Sequence, residues 1–196
     1  PIGEEGAAEV TGTEGALDKA IISETYVLEP GDEFVVTVSG GAYFSYPATV
    51  SPEGKVFLQI PPGRPMAEKS VPGQLTTLYE TIGEIRVSDL TLKEAKEAIG
   101  KEFSRYYKNV QVSLVLTKLR TFRVFVSGEV FRPGIYGANP ITRVSEVVNQ
   151  ARLKGMASRA NIRLIRSEEE VPVDLSRFEI EGDPGANPYA RDGDMI

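Results

Sequence analysis

Glu129 and Arg132 flank a glycine- and proline-rich step, Ser127-Gly-Glu-Val-Phe-Arg-Pro-Gly134, where an acid and a guanidinium could meet sugar hydroxyls or a neighbouring subunit. Turn geometry and a local surface ion pair, worth little in energy, would account for the same two residues. Tyr43, Phe44 and Tyr46 form an aromatic cluster near a predicted loop. Aromatic rings can stack on sugar faces, although such residues more often complete a core or an interface. Asp183, Asn187, Asp192 and Asp194 supply oxygens of the kind calcium takes. Their spacing fits no EF-hand loop, and Asp and Asn are ordinary turn formers, so no metal site is assigned. Glu168-Glu169-Glu170 reads as a solvated turn, and no spacing singles out a carboxylate pair for glycoside cleavage.

The 196 residues include no histidine and no cysteine. The usual general base near neutral pH is therefore missing, along with thiolate nucleophiles and the common zinc ligands. Neither a G-x-S-x-G elbow nor a phosphate loop is present, so no catalytic residue and no cofactor is assigned. A net charge of −6 disfavours nucleic acid as a main partner. The charge is blocked along the chain: −7 over residues 1–32, +5 over residues 85–123 and −7 over residues 168–194. Such blocks could steer head-to-tail subunit contacts, or could simply be solvated faces on separate elements.

The elements that must position these groups divide into two units. Residues 1–24 lack periodicity and read as a flexible N-terminal arm. A turn at Pro30-Gly31-Asp32 leads into a strand in which Phe34, Val36 and Val38 alternate. Ala48–Ile60 reads as a hairpin turning at Pro52-Glu53-Gly54. Residues 61–81, with four prolines and two glycines, form a predicted insertion loop, and Ile82–Val87 resumes a strand. Thr91 and Glu94 make a capping box for a helix whose apolar stripe runs Leu92, Ala95, Ile99, Phe103, Tyr106. Val110–Leu116 follows as a strand, with partial cover predicted over Val115.

A second unit opens with the strand Phe122–Val126. Gly128, Pro133 and Gly134 read as structural turn residues, as do Pro30, Gly31 and Asp32. Thr142 is the predicted cap of a short helix burying Val144, Val147, Val148 and Ala151. Strands at Ile162–Ile165 and Val171–Val173 follow across the acidic turn, with one helical turn at Asp174–Phe178. Asp192-Gly-Asp-Met-Ile196 then echoes Pro30-Gly-Asp-Glu-Phe34.

Three stretches resemble one family in order. Tyr26-x-Leu-x-Pro-Gly-Asp32 with Val50-Ser-Pro-Glu-Gly-Lys-Val56 comes first, then Ile82-Gly-Glu-Ile-x-Val87 with Leu90-Thr-x-x-Glu-Ala95 and Tyr107-x-Asn-Val-x-Val112. These resemble the polysaccharide biosynthesis/export domain. Val126-x-Gly-Glu-Val-x-Arg-Pro-Gly-x-Tyr136 with Asp174-Leu175, Gly182-Asp183, Asn187 and Asp192-Gly-Asp194 resembles the soluble-ligand-binding β-grasp domain. The implied fold class is α+β: a small mixed-sheet export domain over 25–118, then a β-grasp (ubiquitin-like) domain over 119–196. The resemblance implies a non-enzymatic, ring-forming protein of the periplasm and outer membrane that passes capsular or exopolysaccharide outward. Implied partners are further copies of the chain, the polysaccharide and an inner-membrane export partner, with membrane contact through segments outside this chain. A soluble carbohydrate- or small-ligand-binding module that forms no channel is the alternative. Two departures stand out: the insertion at 61–81, and Arg152-Leu153 where the β-grasp module commonly carries a Gly-Gly pair after its short helix.

Overall fold

The computed structural model describes residues 24–61 and 80–196. The predicted N-terminal arm, save Glu24, and nearly all of the 61–81 loop lie outside the described residues. The protein is of the α+β class, as the sequence implies, with helices set against several small sheets.

In the first unit, β1 (Glu33–Gly40) lies between β2 (Phe44–Thr49) and β5 (Val110–Lys118), antiparallel to both. Its alternation is that of a strand with one face on the core: Phe34, Val36 and Val38 are fully buried. Each such side chain contributes about 1.5–3 kcal/mol relative to exposure. Pro47 is tolerated in β2 because that strand is an edge and its missing amide breaks no ladder. Gly40 and Gly41 turn the β1–β2 hairpin against the segment entering β5. A Cβ on either would stand 2.1 or 2.0 Å from the carbonyl oxygens of Asn109 and Lys108.

The structure corrects the predicted 48–60 hairpin. The turn is where expected, closed by Gly54 N–H donating to the Ser51 carbonyl at 2.8 Å. Its two arms, however, join different sheets: β2 pairs with β1, whereas β3 (Lys55–Ile60) pairs with β4 (Glu80–Arg86). Local turn chemistry fixes a change of direction but not the partner of each arm. β4 also begins two residues before the predicted Ile82.

Helix α1 (Leu92–Phe103) carries the expected capping box, with Glu94 N–H donating to Thr91 Oγ1 at 3.2 Å and Thr91 N–H donating to Glu94 Oε2 at 2.8 Å. Hydrogen bonds from the Thr91 backbone and hydroxyl hold the exposed Glu94 carboxyl below its ordinary pKa. Leu92, Ala95, Ile99 and Phe103 face inward. Tyr106 does not, because the helix ends before it; Tyr107 is the inward ring, 5.9 Å from Phe44. Val115, predicted to be partly covered, is 56% exposed.

In the second unit β6 (Phe122–Val126) pairs with β7 (Gly134–Ala138), and β8 (Ile162–Arg166) with β9 (Glu169–Val173). Asp194–Ile196 joins the hairpins: Met195 bridges Phe125 in parallel and Ile165 antiparallel. Helix α2 (Val144–Ala151) packs on both hairpins through two stripes. Val147 and Ala151 meet Val124, Val126 and Ala138, while Val144 and Val148 meet Leu164 and Val173. Arg143, not Thr142, is the N-cap of α2. The Thr142 hydroxyl is already engaged, accepting from Asn139 N–H at 3.0 Å and donating to Asn139 Oδ1. The β8–β9 turn is Ser167-Glu168, both at positive φ, as the type I′ class of two-residue hairpin requires, so Glu169 and Glu170 belong to β9. Helix α3 (Leu175–Glu181), capped by Asp174, is longer than the single turn predicted.

Tyr46 gives this fold a pH signature. Burial pushes its phenol up to about 12 from 10.0. The folded state therefore keeps a proton that the unfolded state loses above pH 10. That stabilisation is complete below about pH 10 and is lost as pH rises toward about 12. Tyr46→Phe should flatten this alkaline limb in urea titrations run across the window. An unchanged limb would mean that Tyr46 does not carry it.

Candidate functional site

The unit junction is built on the Pro30-Gly31-Asp32 turn. Asp32 is fully buried, and its carboxylate closes its own turn by accepting Glu29 N–H at 3.0 Å. It also accepts the Tyr26 hydroxyl at 2.8 Å, Arg120 N–H at 2.9 Å and Arg120 Nη1 at 3.0 Å. Arg120 lies in the short link between β5 and β6, so a residue at the start of the second unit completes a turn at the start of the first. Its Nε also lies 3.1 Å from Glu29 Oε2. Burial, reinforced by the Asp32 carboxylate, raises the Tyr26 phenol well above its ordinary pKa, so it donates as a neutral hydroxyl.

The same device recurs at Gly193-Asp194. The Asp194 carboxylate accepts Arg191 N–H at 2.7 Å, again three residues back, and a bidentate guanidinium from Arg166 at 2.9 and 2.7 Å. Gly31 and Gly193 take φ of +94° and +76° at the two corners, a conformation glycine adopts without strain. The sequence echo of the two Gly-Asp steps thus corresponds to a shared hydrogen-bond pattern. Sequence reasoning missed Arg120 and Arg166. The echo marked the acceptors, but nothing local marks arginines that reach across 88 and 28 residues.

The Ser127–Pro133 connection is wider than a tight turn and is tied to the end of α2. Phe131 N–H donates to the Arg152 carbonyl at 2.8 Å, Arg132 N–H to that of Ala151 at 3.0 Å, and Lys154 N–H to that of Glu129 at 3.0 Å. Arg152 holds φ +58° and ends the helix. Glu129 is ion-paired with Lys154 at 3.5 Å, and the Arg132 carbonyl accepts the Tyr136 hydroxyl at 2.6 Å. Gly128 and Gly134 have positive φ of +89° and +153°. Beside this loop lies a recess of about 380 Å3 lined by Gly128, Glu129, Val130, Leu153, Arg163 and Ile165 among others.

The predicted aromatic cluster is not one surface. Phe44 and Tyr46 are core residues, 8% and 1% exposed, whereas Tyr43 stands in solvent at 86%. Glu129 and Arg132 belong to the second unit, so the structure does not bring the two candidate groups into one site. Asp183 caps the turn at Pro184–Ala186, and Asn187 accepts Ser145 N–H at 3.0 Å. With Asp194 held by Arg166, these oxygens serve the fold. Among the described residues no group of three or more acidic side chains could hold a metal ion, and no helix is long and apolar enough to cross a membrane.

These features define an α+β chain of locked corners and packed hairpins. No protein-family model matches the chain. The chain is similar to the EPS I polysaccharide export outer membrane protein EpsA of Ralstonia nicotianae, 30% identical over 118 residues, which is 58% of this chain. The match spans 31% of that relative's length. This similarity supports membership of the chain in the polysaccharide export family, as the motifs implied.

Proposed function

We propose that the chain is the periplasmic part of a ring-forming polysaccharide export protein of the outer membrane, contributing a passive conduit and subunit contacts rather than catalysis. The observation that carries this reading is the similarity to the export protein EpsA. The division into an export domain over 25–118 and a β-grasp domain over 119–196 is part of the proposal. It is supported by separate buried clusters on either side of Arg120. A β-grasp reading of the second unit draws support from two hairpins joined through a segment parallel to β6, with α2 packed on both. Tyr43, Glu129 and Arg132 are the proposed contacts to glycan or to neighbouring copies.

The test is deletion of the gene in its native host, followed by complementation with the full-length protein. Loss of extracellular polysaccharide, restored on complementation, is expected. Sizing of the detergent-extracted protein should give a closed oligomer. Unchanged export after deletion would overturn the export role, and a strictly monomeric extract would overturn the ring. The recess beside Gly128 favours a second reading, a soluble carbohydrate- or small-ligand-binding module without a channel. A monomer that binds saturably while export is unaffected would select it.

A further inference from the structure

Beside the Arg120 joint the two units leave a cleft of about 580 Å3. Its size suits a small-molecule site, and such sites favour junctions between folded units. Both units contribute to its lining: Tyr26 and Glu29 from the first, Phe122, Tyr189, Arg191 and Asp192 from the second.

The two tyrosines are held in the same way. Tyr26 is fixed by its hydroxyl on Asp32, with the Arg120 guanidinium carbon 5.9 Å from the ring centre. Tyr189 has the Arg143 guanidinium carbon 4.3 Å from its ring centre and accepts Arg143 Nη2 at its hydroxyl at 3.2 Å. Arg143 is itself anchored on the Asn187 carbonyl at 2.6 Å. Rings immobilised before a ligand arrives lose little entropy on contact. The rim is polar: Glu29, Arg191 and Asp192 are exposed, and Arg191 holds Asp194 through its backbone amide, leaving that bond independent of its guanidinium.

A sugar ring is amphipathic in the same sense, with apolar C–H faces and a girdle of hydroxyls. We propose that this cleft binds one pyranose unit of a glycan. A C–H face of the sugar lies on a tyrosine ring, and its hydroxyls reach Glu29, Arg191 and Asp192. The assignment rests on the export reading for the origin of the glycan, but it places the contact away from the Gly128–Arg132 loop. Binding is weak by design of the site: the cleft is open, and a polymer in transit must also leave.

The test is an amide NMR titration of the full chain with maltohexaose as a neutral probe and oligogalacturonate as an anionic one. Saturable shifts are expected at residues 25–27, 122 and 189–192. Tyr189→Leu should weaken binding about tenfold, the loss of one aromatic contact. Because Tyr189 also braces Arg143, Arg191→Ala is the second variant; among the described residues the Arg191 side chain makes no hydrogen bond or ion pair, and the variant should weaken the anionic probe most. Shifts confined to residues 128–132 and 161–165, or no saturation with either probe, would overturn the site. If export complementation succeeds while neither probe saturates, the cleft assignment falls and the export reading stands. Saturation at the cleft with export unaffected by gene deletion would do the reverse.

Discussion

Arg120→Ala is expected to lower the unfolding free energy by about 3 kcal/mol, the lower end of the roughly 3–5 kcal/mol found when one member of a buried ion pair is removed. The reason is the state of Asp32. Its side chain is fully buried, and Arg120, only 16% exposed, is its charged partner. After truncation the carboxylate keeps the Glu29 amide, the Tyr26 hydroxyl and the backbone amide of residue 120. Those neutral donors satisfy hydrogen bonds but leave a negative charge uncompensated at a buried position. The donors that remain place the expected loss at the lower end. Lysine should not rescue the variant, because a single ammonium cannot contact Asp32, Glu29 and the Val27 carbonyl together. Adding Asp32→Asn to Arg120→Ala should recover part of the loss by removing the stranded charge. Urea unfolding of the single and double variants gives the coupling. A loss below about 1 kcal/mol would make the pair no stronger than a surface bridge.

The same residue shows where sequence reading stops. Helix α1 was legible because everything that specifies it is local: Thr91 and Glu94 cap it, and its stripe recurs every three or four residues. The buried alternation of β1 was legible for the same reason. Strand partners were not. The arms of the 50–55 turn diverge because β2 completes a ladder with β1, while β3 takes β4 from beyond the 62–79 segment. Thr142 has the chemistry of a cap, yet a competing Asx-type turn with Asn139 uses its hydroxyl first. Tyr106 fits the helical period but falls past Ser104, where the helix has already ended. For the candidate site, the glycines and the Gly-Asp echo were visible as turn chemistry. The arginines that close those turns were hidden, since a charge acting across the fold leaves no periodic or local trace.

Arg166→Ala is the substitution expected to cost most, about 3–5 kcal/mol. Asp194 is fully buried at its side chain, and Arg166 grips both of its oxygens. Without that grip, among the described residues the carboxylate retains only the Arg191 amide, fewer neutral donors than Asp32 keeps in the first variant. The damage also spreads further. The same guanidinium holds the Tyr189 carbonyl at 2.8 Å, so it binds the 189–194 segment at two points. That segment delivers Met195 between the two hairpins, where Ile165 N–H donates to the Met195 carbonyl at 2.7 Å and Ile196 N–H to that of Phe125 at 2.8 Å. Releasing it should therefore unzip the middle of the sheet before the outer pairs β6–β7 and β8–β9 separate. Hydrogen exchange distinguishes this from a uniform loss: the amides of Ile165, Met195 and Ile196 should accelerate well beyond those of Val124 and Leu164. Equal acceleration throughout the second unit would mean that the Arg166–Asp194 grip stabilises the unit globally and does not act as a local clasp. Asp194→Asn should be milder than Arg166→Ala, because it leaves an arginine only 18% exposed that can still bond the Tyr189 carbonyl and turn toward water.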